Sequence, residues 1–306
     1  MTIWFYLKVK VGKFMANLLA AAVPDQERRR RLRSKLDPLN AERCVRYLQQ
    51  HYTHVPAQAP IDHPRRENTV WVCWLQGMEQ APLLVKNCVK TIEHYKPSGW
   101  QVVVITSDNY ADYVDMPPVI IEKWKRGIIT NTHFSDLFRI HVLAHHGGCW
   151  MDATLLQTAP VPQQILESPL FLFRTHGEFA FTFIQSCFMV SHPDHYVMRK
   201  WCAAMDAYWT NESMLINYFT LHLMFVALLR SDSVFRQHFE QIIIQSDEPM
   251  HILLYEMKKG SDYSDSLMET ARKATFLQKL TYKFPESLLR NERSIAYHFA
   301  QQLLQL

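Results

Sequence analysis

The stretch from Thr69 to Ile105 changes its hydrophobic period twice, and this constrains the fold more than anything else in the chain. Thr69-Val70-Trp71-Val72-Cys73-Trp74-Leu75 is a short apolar run rich in β-branched and aromatic residues, stopped by Gly77. Such a run reads as a strand buried on both faces. Within 81–95, Leu84, Val85, Cys88, Val89 and Ile92 recur at helical spacing, and Pro97-Ser98-Gly99 closes the segment. Gln101-Val102-Val103-Val104-Ile105 is a second strand, closed by Thr106-Ser107-Asp108. Strand, helix and strand in so short a span form a βαβ unit, which makes the strands parallel and lays helices over the sheet. The fold class is therefore α/β. Ligands of such sheets bind outside the carboxyl ends of the strands, which points to residues 74–77 and 106–108.

Further along, residues 117–127 and 133–146 read as helices. The second stops at Gly147-Gly148 with His145 and His146 in its last turn, where positive charge is favoured. Cys149-Trp150-Met151 is a short strand that delivers Asp152 at its end. The last third alternates helical runs, 194–208, 214–229 and 233–244, with short polar breaks. A chain of 306 residues holds one large domain or two. Residues 53–68 carry Pro56, Pro60 and Pro64 with few bulky apolar side chains, and are expected to link a helical extension, 1–52, to a main domain, 69–306.

The extension opens with Ile3-Trp4-Phe5-Tyr6-Leu7, continues through Lys8, Lys10 and Lys13 to Phe14-Met15-Ala16-Asn17-Leu18-Leu19-Ala20, and then reaches Arg28-Arg29-Arg30-Arg31, Arg33 and Lys35. Bulky aromatics ahead of the lysines and a short apolar stretch argue against a signal peptide. An amphipathic segment lying on a membrane or on the protein body fits better, and the arginines are either a solvated helix face or a contact with anionic lipid. No apolar run approaches 18 residues, the length that spans a bilayer.

Glycine is scarce, 8 residues, and no G-x-G or G-K-[ST] occurs, so dinucleotide and P-loop phosphate sites are excluded. H-E-x-x-H and G-x-S-x-G are absent too. The net charge of +4 requires no nucleic-acid partner and suits an anionic surface or a phosphorylated substrate. The six cysteines form no C-x-x-C and sit among bulky apolar residues, as reduced buried thiols do.

Two spots carry chemistry. Asp136 and Arg139 share a helix face at i,i+3. Alone they are an exposed ion pair of small worth, or an oriented carboxylate and guanidinium able to hold sugar hydroxyls and phosphate. Asp152, at the end of a short buried strand, caps a turn or meets a hard cation. His222 sits in an apolar helix and reads as a core histidine. Lys279 and Lys283, four apart, are a solvated face or a pair of phosphate contacts.

In this order Phe134-Ser135-Asp136-Leu137-Phe138-Arg139, Gly147-Gly148-Cys149-Trp150-Met151-Asp152-Ala153-Thr154 and the early Trp71-Val72-Cys73-Trp74-Leu75-Gln76-Gly77 resemble the bacterial capsular polysaccharide synthesis proteins. These are similar to the sugar-transferase group with a DXD motif, glycosyltransferase family 32. The resemblance runs from about residue 68 to about 285 and takes in Asn217-Tyr218-Phe219 with His222, and Lys279-Leu280-Thr281-Tyr282-Lys283.

The resemblance implies a GT-A fold, a mainly parallel Rossmann-like sheet with helices on both faces. It implies sugar transfer from a nucleotide-sugar, a UDP-sugar being favoured, with retention at the anomeric carbon. By position, Ser135, Asp136 and Arg139 match residues at the donor sugar; Asp152 matches the first acid of the DXD motif, at the diphosphate and metal; and Trp74 and Gln76 match the strand end where the base sits. Asp136, Arg139 and Asp152 are the candidate catalytic residues. Thr154, Lys279 and Lys283 are candidate donor contacts, and His222 is a weaker one. The chain departs from the wider group in one respect: Asp152-Ala153-Thr154 stands where that group has two acids. A Mn²⁺ or Mg²⁺ site would rest on Asp152 with substrate oxygens, water and Thr154, or else Lys279, Lys283 or Arg139 would carry the diphosphate's charge. The expected acceptor is a saccharide or lipid-linked saccharide of a capsule or lipopolysaccharide, at the cytoplasmic face of the membrane. The competing readings are a metal-dependent nucleotide-sugar phosphohydrolase and a non-catalytic nucleotide-sugar-binding protein.

Overall fold

The computed structural model describes residues 3–60 and 64–304. Residues 61–63 of the proline-containing stretch lie outside the described residues, as do the side chains of Lys8, Arg30 and Arg31 in the basic segment. Two helices come first, α1 (Ile3–Ala21) and α2 (Gln26–Tyr52). The sheet region follows as β1 (Thr69–Cys73), α3 (Leu83–Tyr95), β2 (Gln101–Ile105), α4 (Pro118–Lys125), α5 (Asn131–His146), β3 (Gly148–Met151), β4 (Leu155–Gln157), α6 (Gln163–Leu166), β5 (Leu170–Arg174) and β6 (Ile184–Ser191). The chain continues through α7 (Tyr196–Asn211), α8 (Thr220–Ser231), α9 (Ser233–Phe239), β7 (Ile243–Ser246), α10 (Ile252–Lys259), α11 (Asp265–Ala274), β8 (Leu277–Lys279) and α12 (Ile295–Gln301).

The main sheet has the order β2-β1-β3-β6-β5-β7. The expected βαβ unit is present: β1 pairs in parallel with β2 and, on its other side, with β3. β5 and β7 are also parallel, while β6 runs antiparallel to both of its neighbours. Side-chain alternation along β1 sends Val70 and Val72 to the face covered by α3, and Trp71 to the face covered by α5, α7 and α8. Helices therefore cover both faces.

α2 enters the second of these layers. Its Cys44, Val45, Leu48 and Tyr52 belong to the same buried cluster as α5, α7 and α8, and the hydroxyls of Tyr47 and Tyr52 both donate to Glu212.

Two expected helices end differently. The 214–229 run becomes helical only at Thr220. Before it, Asn217 Oδ1 accepts the Phe219 N–H at 2.9 Å and Thr220 Oγ1 bonds the Asn217 backbone, a local turn that competes with helix. The 233–244 run breaks after Phe239, and Ile243–Ser246 pairs with β5 as a strand, the state favoured by its β-branched Ile242-Ile243-Ile244.

The junction between α5 and β3 needs both of its glycines. Gly147 and Gly148 have φ of +71° and +89°, and Trp71 Nε1 donates to the Gly147 carbonyl at 2.9 Å. A Cβ on Gly147 would lie 2.7 Å from Pro193, and one on Gly148 would lie 2.5 Å from the Thr69 carbonyl oxygen. This tight passage sets where β3 begins and hence where Asp152 emerges.

Candidate functional site

Trp74 and Asp152 stand one residue beyond the carboxyl ends of β1 and β3, two neighbouring parallel strands. α5 runs beside them. Its start is fixed by Thr130, whose hydroxyl accepts the His133 N–H, and nearly every residue from His133 to His146 is buried. Asp136 and Arg139 are thus placed by a helix that cannot shift without opening the core. Asp152 begins a turn closed by the Leu155 N–H to the Asp152 carbonyl at 2.9 Å, which brings Thr154 alongside. β8 then lies antiparallel to β4 with Lys279 opposite Leu155.

The result is a chain of alternating charges. Arg139 Nη2 is 3.0 Å from Asp136 Oδ1 and 3.5 Å from Asp152 Oδ1. Lys279 Nζ is 2.7 Å from Asp152 Oδ2 and 2.9 Å from Thr154 Oγ1. Trp150 Nε1 donates to Asp152 Oδ1 at 3.0 Å, and the Arg139 guanidinium lies 5.1 Å from the Trp150 ring. Burial alone would raise the Asp152 carboxyl, but Lys279 and Arg139 outweigh it and hold it below the usual carboxylate range. Lys279 and Arg139 rise in turn: burial works against their charge, and Asp152 more than offsets it. For Asp136 burial prevails over the attraction of Arg139, and its carboxyl is raised.

The hydrogen bonds divide the two cations into different roles. Arg139 gives Nη1 to the Ser186 carbonyl and hydroxyl at 2.8 and 2.7 Å and Nε to the Ser135 carbonyl at 3.5 Å, while Nη2 forms ion pairs with the two carboxylates. Each of its three nitrogens thus meets a group of the protein itself. Lys279 has three N–H groups, and two are engaged among the described residues.

By themselves these residues offer a divalent cation a single carboxylate. Asp152 is the one carboxylate at the motif position, and its two oxygens already face Trp150 and Lys279. No group of three or more His, Cys, Asp or Glu side chains that could hold a metal occurs among the described residues. Lys279 Nζ lies between Asp152 and Thr154, the two positions where the DXD motif has acids.

Trp74, Gln76 and Ser135 line a small open depression of about 120 Å³ beside this chain, with Cys73, Asn131, Thr132 and Tyr282. Tyr282 meets the Trp74 indole edge-on at 5.3 Å, and Trp74 Nε1 is buried without a hydrogen-bond partner. Lys283 stands apart: it is exposed, with its ammonium 5.5 Å from the Tyr282 ring. A larger hollow of about 840 Å³ lies elsewhere, between α1 and α2, and holds none of these residues.

His222 on α8 is close enough to feel Arg139 and Asp152. Burial, then Arg139, pulls it down to about 3, and its Nδ1 has no partner. Sequence reasoning did not single out Trp150, Ser186 or Tyr282. Trp150 and Tyr282 sit inside segments already of interest. Ser186 lies on an apolar strand with no local signal.

The buried histidines give a pH prediction. His222 falls to about 3, and His195 to about 4 through burial and then His238, His192 and Arg199. Both titrate near 6.5 in the unfolded chain, which therefore takes up protons first as pH drops. Stability should fall between pH 6.5 and about 3. His222 alone would account for about 2–3 kcal/mol at pH 4.5. A melting series across that range on the wild type and His222→Gln tests this; parallel curves would show that His222 carries none of the effect.

A chain of alternating charges and an indole-lined depression lie at the carboxyl ends of parallel strands, where α/β sheets carry their ligand sites. The family follows from the sequence as a whole. Residues 26–299 match the capsular polysaccharide synthesis protein family, and the chain belongs to it. It is 25% identical over 199 residues to the O-glycosyltransferase PaGT of Phomopsis amygdali, a fungal protein; the match covers 59% of this chain and 46% of that protein, less than half its length. Among solved structures it resembles the PaToxG glycosyltransferase at 13% identity and a TM-score of 0.40, across 87% of this chain and 98% of that one.

Proposed function

We propose that the chain is a GT-A glycosyltransferase that moves a sugar from a nucleotide-sugar, with retention, to a saccharide or lipid-linked saccharide acceptor of a capsule or lipopolysaccharide. The carrying observation is the juxtaposition of Trp74, Asp136, Asp152 and Lys279 at the ends of β1 and β3. The depression beside Trp74 suits a pyrimidine base, with Tyr282 as a second aromatic wall, which favours a UDP-sugar. Asp136 orients the donor sugar through its hydroxyls.

When the bond between the sugar and the diphosphate breaks, its electron pair stays on the phosphate oxygen. Lys279 offers its remaining N–H to that charge, and Arg139 holds the two carboxylates in place. The chain's own ammonium thereby takes the role a divalent cation has in the DXD group. The scarcity of clustered carboxylates weighs against a two-metal phosphohydrolase.

The test is a thermal-shift panel of nucleoside diphosphates and nucleotide-sugars, since a ligand that binds only the folded state raises apparent stability. A nucleotide-sugar should raise the melting temperature of the wild type and leave Asp152→Ala unmoved. No shift with any compound would overturn the donor assignment.

The same reading places the protein on the inner face of a membrane. No helix among the described residues is long and apolar enough to cross one. α1 packs Val9 and Ala20 against the body and stacks Phe5 on Tyr47, yet Leu7, Val11, Phe14, Met15, Leu18 and Leu19 are exposed on its opposite side. An exposed apolar stripe of this size on a helix suits a covered outer face. Lys10, with its ammonium over the Tyr6 ring, borders the stripe, which suits anionic lipid. The full chain should sediment with phosphatidylglycerol vesicles, and Phe14→Asp/Leu18→Asp should stay in solution. A wild-type dimer that the double substitution dissolves, with no vesicle binding, would assign the stripe to self-association.

A further inference from the structure

We infer that an exposed aromatic cluster near the start of α5 is the acceptor subsite, where the C–H face of a sugar ring packs against Phe179 or Tyr218. This rests on the transferase reading above and extends it to the second substrate.

The platform joins two segments far apart in sequence. The short 3-10 helix Gly177–Thr182, between β5 and β6, presents Phe179 and Phe181; the turn before α8 presents Tyr218 and Phe219. Phe219 lies 5.6 Å from both Phe179 and Phe181, and 5.1 Å from Tyr218. Phe179 is 45% exposed and Tyr218 53%, although neither belongs to a loop tip free of neighbours. Large side chains clustered in contact and open to solvent mark binding surfaces rather than scattered surface residues.

The backbone is strained to hold them there. Phe183, directly after the short helix, has φ of +71°, a region that a non-glycine residue enters at a cost of about 1–3 kcal/mol. Its ring is fixed inward under the Arg174 guanidinium, 3.6 Å away, and against Phe225 and Phe239. That anchor turns the preceding residues outward.

Continuity with the donor side identifies the occupant. His133, one turn before Asp136 on α5, sends Nε2 to the Tyr218 carbonyl at 3.3 Å and meets the Tyr218 ring edge-on at 5.5 Å. Phe219 lies 5.9 Å from His222, the histidine that feels Arg139 and Asp152. The first turns of α5 therefore border both the platform, through His133, and the Trp74 depression, through Asn131, Thr132 and Ser135. A pyranose has one face of C–H groups and a rim of hydroxyls. Its C–H face suits the electron-rich face of an aromatic ring, and the rim would meet polar groups at the edge, among them the His222 imidazole. A peptide or a lipid chain has no need of a carboxylate and an arginine one helical turn away.

The experiment reads contact and catalysis separately. Saturation of the full chain's aromatic protons in the presence of UDP should transfer to the ring C–H protons of at least one member of a panel: methyl α- and β-glycosides of glucose, galactose, mannose and N-acetylglucosamine, and malto- and cellotriose. Phe179→Ala and Tyr218→Ala should each remove most of that transfer. For glycosides that accept sugar, these variants should raise the acceptor KM about tenfold or more while leaving the donor's melting shift and its slow hydrolysis within about twofold. Binding of UDP with no transfer to any glycoside would overturn the platform and leave the donor site standing. Equal loss of donor hydrolysis in the variants would assign the aromatics to folding or to the donor. Failure of every nucleotide to bind would remove the transferase reading, and the platform with it. A variant that turns a dimer into a monomer would make the patch a subunit interface instead.

Discussion

Replacing Lys279 by Met is expected to lower turnover about 10²–10³-fold, the usual loss when one preorganised donor to a developing anion is removed. The side-chain length is kept, so the loss reports charge and hydrogen bonding. Donor affinity should fall as well, because the third N–H is lost in the ground state. Lys279→Met also strands Asp152. Taking one partner from a fully buried pair costs about 3–5 kcal/mol, and less here because both groups are roughly a fifth open to solvent. Lys279→Met/Asp152→Asn restores neutrality, so its melting temperature should return toward wild type while activity stays low. That split separates a catalytic ammonium from a structural one. Lys283→Met, at an exposed side chain, should alter both stability and turnover only slightly. If Lys279→Met keeps full turnover, Lys279 is a structural counter-ion.

Gly148→Ala is expected to be the most damaging small substitution in the chain. Its Cβ would sit 2.5 Å from the Thr69 carbonyl and 3.0 Å from that of Glu67, and both belong to backbone entering β1. Thr69 is held in register opposite Gln101, so the strand cannot retreat without breaking the central parallel pairing. The positive φ adds strain of about 1–2 kcal/mol for a residue with a Cβ. Together these put the cost above about 4 kcal/mol, enough to leave little folded protein. Gly99→Ala is the control. Its φ is similar, at +80°, but nothing lies within 4 Å of the new methyl, so only the strain remains. Measured melting temperatures should separate the two widely. Similar values would mean that the α5–β3 passage is looser than its distances indicate.

The contrast between these two glycines shows what a sequence can and cannot convey. Gly147-Gly148 reads as a helix stop, and the helix does stop there. That the second glycine also allows two strands to pass at contact distance depends on Thr69, far away along the chain. The βαβ unit was legible because its period changes are local. β6, which reverses direction between β3 and β5, was not, since an apolar strand carries no mark of its neighbour's direction. The apolar run from Phe235 to Ile244 suits helix or strand alike, and only pairing with β5 decides for β7.

The site divides in the same way. Asp136, Arg139 and Asp152 were singled out by spacing and resemblance, and the fold brings all three together with Lys279. Their spacing could not show that Arg139 spends its donors on Ser186, Ser135 and the two carboxylates, because Ser186 arrives from another strand. Lys279 and Lys283 looked equivalent, four residues apart. β8 pairing with β4 turns one into the site and leaves the other at the surface. His222 was a core histidine in an apolar helix, and only the packing of α8 brings it within reach of Arg139. The platform had no signature beyond scattered phenylalanines.

Lys279, in the function proposed above, takes the place of the divalent cation. The most direct measurement is the rate of UDP release from the active nucleotide-sugar, with the chain stripped of metal and assayed in excess EDTA, then with Mn²⁺ and with Mg²⁺ added back. The account predicts rates within about twofold under all three conditions. It also predicts a loss of activity in Lys279→Met that no metal restores. Activity that vanishes in EDTA and returns with Mn²⁺ would contradict it, and would mean that Lys279 leaves Asp152 when the donor and its cation arrive.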